Sequence, residues 1–115
     1  RMHLACVPSG TMSASGVEAL IQDLADRREW HPQVVVIDYA DLLAPENPRA
    51  EKRDQIDDTW RALRTLSQRR HALVVTATQA RRDAYVDWVL TREHVAEDKR
   101  KLAHVTAMLG INQTD

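Results

Sequence analysis

Two apolar runs in this sequence stop at a polar residue of the kind that does chemistry. In VVVIDYADLL, Val34 to Leu43, four β-branched residues lead into Asp38, with Tyr39 next and a second carboxylate at Asp41. In ALVVTATQA, Ala72 to Ala80, a similar run reaches Gln79. If both runs are neighbouring strands of a parallel sheet, Asp38 and Gln79 stand at the carboxyl ends, where open sheets of this kind bind ligands. A carboxylate placed there can hold a hydrated Mg²⁺, which prefers oxygen ligands and keeps several waters. A neutral amide beside it can hydrogen-bond a phosphate oxygen or a water without adding negative charge. The pair suits nucleotide hydrolysis, although Asp38 taken alone suits a turn cap equally well.

The elements that must position these residues follow from periodicity. Met2 to Val7 is a short apolar run closed by Pro8-Ser9-Gly10, expected to be a strand and then a loop. Ser15 and Glu18 have the spacing of a capping box. Val17, Leu20, Ile21 and Leu24 then recur at helical spacing, which predicts a helix over Gly16–Arg28. Val34 to Tyr39 is apolar on consecutive positions, the pattern of a strand covered on both faces. Ile56, Trp60, Leu63 and Leu66 line one face of a helix expected over Arg49–Arg69, and its charged face reads as solvated surface. Ala72 to Thr78 is the next expected strand. Arg81 to Arg100 is charged and poorly periodic, suggesting one or two short helices in a long loop. Leu102 to Ile111 reads as a last strand. The order implies an α/β domain with a parallel sheet of about four strands and flanking helices.

Bulk composition narrows the class. The 115 residues suit one small domain, with 43% hydrophobic and 29% charged residues. A net charge of -1 gives no global electrostatic footprint for nucleic acid. No apolar run approaches the ~20 residues of a membrane span, and no signal peptide is legible, so no membrane partner is expected. A single cysteine, Cys6, makes a reducing cytoplasm the default. The five histidines show no metal-ligand spacing. Trp30, Trp60 and Trp88 read as packing residues. The chain starts at Arg1 and stops at Asp115 within what reads as continuing sequence, so an internal piece of a longer protein is expected.

The ordered set of motifs resembles the RecA-like ATPase domain of replicative hexameric DNA helicases of the DnaB type. VVVIDYADLL resembles that family's Walker B strand, and ALVVTATQARR its next motif, a strand ending in Ser-Gln or Thr-Gln with a basic residue soon after. CVPSGTMSASGVEALIQDL is similar to the strand, small-residue loop and helix before Walker B. LAHVTAMLGINQ resembles the strand after the channel-facing loop. The likeness spans nearly the whole of residues 1–115 as one partial domain. It implies that Asp38 holds the Mg²⁺ water shell and that Gln79 senses the γ-phosphate of ATP, with Arg81 and Arg82 facing the nucleotide or a subunit partner. It also implies that Lys99, Arg100 and Lys101 approach single-stranded DNA in a hexameric ring of copies. Solvated surface is the competing reading for both basic groups.

The departures from that family are as specific. No G-x-x-x-x-G-K-[ST] loop occurs among the 115 residues, so the phosphate cradle is missing. The family's catalytic glutamate and its Arg-Glu-Ser-Gly pattern are missing as well. The chain alone is therefore expected to be inactive. Asp41 stands where the family carries an uncharged residue and reads as structural. The strand that would separate Ala72–Thr78 from the last segment is also absent. The last segment is thus expected to close onto Ala72–Thr78, to stay disordered or, preferentially, to pair with another copy. Two other classes stay open. A response-regulator receiver would use Asp38 as phospho-acceptor, but it needs an acidic pair after the first strand and a lysine after the last. A non-catalytic α/β scaffold would only bind partners.

Overall fold

A computed structural model describes residues 1–79 and 99–111. The element order is α1 (Ala14–Arg28), β1 (Val34–Ile37), a 3-10 turn (Ala40–Leu42), α2 (Lys52–Arg70), β2 (Leu73–Thr76) and a second 3-10 turn (Lys99–His104). The strands pair in parallel, Val34 opposite Leu73 through Ile37 opposite Thr76.

Helix α1 begins two residues before the position expected from periodicity, and the capping differs. Ala44 N–H donates to the Met12 carbonyl, which holds the chain extended up to Ser13, so the helix starts directly after it. Ser13 is the N-cap, its hydroxyl accepting from Gly16 N–H. The expected Ser15–Glu18 box is replaced by a long-range cap. The Glu46 carboxylate accepts from Ser15 N–H at 2.7 Å and from the Ser15 hydroxyl at 3.0 Å. Glu18 instead faces Arg69 and Arg70 of α2. The backbone bond from Ser15 chiefly holds Glu46 below its usual carboxyl value. The helix stops where Glu29 turns left-handed, just before the expected His31-Pro32 break.

Helix α2 buries Trp60, Leu63 and Leu66, the stripe that the sequence marks. With Val17 and Ile21 of α1 these residues pack on Val35, Ile37 and Val74 of the sheet. Both helices therefore cover the same face. The opposite face corrects the expectation of strands covered on both sides. Val34, Val36, Leu73 and Val75 are 52, 71, 59 and 42% exposed there. Consecutive β-branched residues leave both faces apolar, but only half of them find a partner among the described residues.

The described residues hold two strands where about four are expected. Met2–Val7 forms no ladder. Its start is held on Trp30, with the Arg1 guanidinium 5.9 Å and the His3 ring 6.4 Å from that ring. Its far end is fixed by Gly10 N–H donating to the Leu42 carbonyl. The last segment is not a strand either. Leu102–His104 lies in the second 3-10 turn, and residues 105–111 have no regular structure. That turn docks on α2 rather than on β2 because its charges match the helix. Arg100 pairs with Asp54 at 3.1 Å, and His104 Nε2 with Asp57 at 2.9 Å. Val105 reaches the core beside Trp60. The His104 bond, helped by Arg61, holds Asp57 below the usual carboxylate range against the opposing effect of burial. The acidic face of α2, expected to be simply solvated, is in part the seat of the basic turn. The helices expected between Arg81 and Arg100 fall almost wholly outside the described residues.

Candidate functional site at the strand ends

The sheet ladder stops at the pair Ile37–Thr76. Beyond it, side chains stitch the two strand ends together. The Thr76 hydroxyl donates to the Ile37 carbonyl at 2.8 Å and accepts from Ala40 N–H at 2.8 Å. One β-branched hydroxyl thus spans the Asp38–Tyr39 step, whose peptide bond is cis. The Gln79 amide donates to the Tyr39 hydroxyl at 3.3 Å. The structure therefore places Asp38 and Gln79 at adjacent carboxyl ends, with Tyr39 between them.

The two carboxylates of β1's end have opposite environments. Asp41, in the first 3-10 turn, takes donors on both oxygens. Trp60 Nε1–H donates to Oδ1 at 3.0 Å, and the Thr78 hydroxyl donates to Oδ2 at 2.9 Å. Lys101 Nζ lies 2.8 Å from the same Oδ2, 3.1 Å from Thr78 Oγ1 and 5.5 Å from the centre of the Trp60 ring. Asp38 is exposed, and no side chain among the described residues engages its carboxylate. A single free carboxylate does not make a protein cage for a metal, and no group of three or more His, Cys, Asp or Glu among the described residues does so. It does fit a Mg²⁺ held through its own water shell.

Within the basic run, the structure corrects the surface reading of Lys101. Lys101 is 1% exposed and spent on Asp41, so it offers no charge to a nucleic acid. Arg100 is committed to Asp54. Lys99 opens the same turn. Arg81 and Arg82 lie outside the described residues. A run of three cations reads as a surface patch in sequence, yet the 3-10 geometry sends its third member inward.

Sequence reading missed the network of Thr76, Thr78, Trp60 and Lys101. Asp41 and Lys101 are 60 positions apart, and no local pattern signals a pair at that separation. Concavity beside the site is small. A cleft of about 110 Å³ is lined by Asp41, Gln55, Ile56, Thr59 and Trp60 among others. That is well under the roughly 300 Å³ at which ligand pockets begin, so these residues form an edge of a site rather than an enclosed pocket.

Compared with models of known protein families the sequence matches none, and no curated protein matches it. No helix among the described residues is long and apolar enough to cross a membrane.

Proposed function

We propose that this chain is the middle portion of an ATP-hydrolysing motor domain of the RecA-like kind that drives replicative hexameric DNA helicases. One observation carries the reading. Of the two carboxylates at the end of β1, Asp41 is neutralised internally, whereas Asp38 is exposed and has no side-chain partner among the described residues, one strand away from the Gln79 amide. That division is what a metal-water site needs, because one anion must face solvent while its neighbour does not compete for the cation.

In this reading Asp38 holds Mg²⁺ through water, and Gln79 hydrogen-bonds a phosphate oxygen or the attacking water. A Mg²⁺ held by Asp38 would supply positive charge against the charge that develops on the transferring group. Asp38 contributes charge and orientation to its water shell. Gln79 contributes a neutral donor whose position Tyr39 helps to fix. The phosphates themselves need a glycine-rich loop and its lysine, which none of the 115 residues supplies. Single-stranded DNA and further copies in a ring are the partners that the reading entails for the parent protein.

Calorimetry is the first test. The isolated chain is expected to bind Mg·ATP no tighter than millimolar, and micromolar binding would overturn the helicase reading. In a longer protein bearing the phosphate loop, Asp38→Asn is expected to abolish turnover with the fold intact. Wild-type kcat in that variant would remove Asp38 from the site.

A further inference from the structure

We infer that Lys101 is the positioning residue of the strand-end site: its ammonium fixes Thr78, and through Thr78 the place of Gln79. The inference rests on reading the strand ends as the site only for its consequence, and its test needs no nucleotide.

The ladder cannot do this work, since it ends at Thr76. The two residues that follow reach Gln79 guided by side chains. Of these ties, the Gln79–Tyr39 bond is long at 3.3 Å. The Thr78 contacts are shorter and have only one consistent polarity. A lysine ammonium only donates, so Thr78 Oγ1 must accept from Lys101. Its single proton must then go to Asp41 Oδ2. Asp41 accepts only, taking Trp60 on one oxygen and both Thr78 and Lys101 on the other. No member can reverse its role, so the network admits one arrangement. Burial adds rigidity, because Lys101 is 1% exposed and water has little access to compete for it. Lys101 also belongs to the turn seated on α2 through Arg100 and His104. The strand end is thereby referenced to the helix as well as to its neighbouring strand.

A merely structural lysine would neutralise Asp41 and leave Gln79 indifferent to Thr78. Nitrogen-15 relaxation on the full 115-residue chain separates the two roles. Thr78→Val keeps the Lys101–Asp41 pair but removes the hydroxyl. The order parameter of the Gln79 amide is expected to fall from about 0.85 to below 0.6. Val74 and Val75 should stay rigid, and Thr78→Ser should restore Gln79. Lys101→Met, at a temperature where it remains folded, is expected to loosen Gln79 to the same degree. An unchanged Gln79 in Thr78→Val would overturn the inference, as would an unchanged Gln79 in folded Lys101→Met. Turnover of Asp38→Asn in a longer protein bearing the phosphate loop reads the nucleotide proposal separately. Wild-type kcat in that variant would sink that proposal and leave the positioning role standing.

Discussion

Lys101 and Asp41 form an ion pair at 2.8 Å, with 1% of the lysine side chain and 13% of the aspartate side chain exposed. Removing one partner of such a pair strands the other charge. Lys101→Met is therefore expected to destabilise the chain by about 3 kcal/mol. Lys101→Met with Asp41→Asn should recover part of that loss, because no unpaired charge is then left buried. Urea denaturation of the two variants is the check; a loss under about 1 kcal/mol in the single variant would show that water reaches the pair.

Asp38 should behave in the opposite way. It is exposed and without a side-chain partner among the described residues. Asp38→Asn is expected to shift stability by no more than about 0.5 kcal/mol, as surface substitutions do. Equal urea midpoints for wild type and variant would meet that expectation. A clear loss would mean that Asp38 has a structural role and that the turn-cap reading was the better one.

The exposed sheet face gives a test with a one-residue step. Val36 is 71% exposed, whereas Val35 packs against Val17, Ile21 and Leu66. Val36→Lys should leave stability within about 0.5 kcal/mol and lower binding of a hydrophobic dye and self-association in sedimentation. Val35→Lys should unfold the chain, since it drives an unpaired charge into the core. Similar behaviour of the two variants would mean that the strand is turned differently.

Acid should loosen the docked elements in a defined window. Glu46 and Asp57 both titrate below their ordinary values of 4.5 and 3.8, Glu46 through the Ser15 N–H and Asp57 through His104. A depressed carboxyl favours the folded state fully above its unfolded value and loses that contribution as pH falls through the folded one. Stability should thus be insensitive to these groups near neutrality and decline below about pH 4.5. Glu46→Gln and Asp57→Asn should flatten that decline, measured as the urea midpoint between pH 6 and pH 3. An unchanged slope in both variants would rule out these two carboxyls as its source.

The sequence by itself determined the helices, the two strands and the residues at their ends. Val17, Ile21 and Leu24 mark one buried face of α1, and Trp60, Leu63 and Leu66 mark that of α2. These patterns are legible because helical and extended periodicities depend only on neighbours along the chain. The parallel pairing also followed, since a helix between two apolar runs returns the second run alongside the first. Only the tertiary structure decided the rest. It made Glu46 the cap of α1, left Val34 and Val36 outside the core, and kept Met2–Val7 and Leu102–Ile111 out of the sheet. It also turned Lys101 from a surface cation into the partner of Asp41. Each of these outcomes depends on which distant group reaches a charge or an apolar face first. That competition is settled by three-dimensional distance and desolvation, and neither is written in the spacing of residues along a chain.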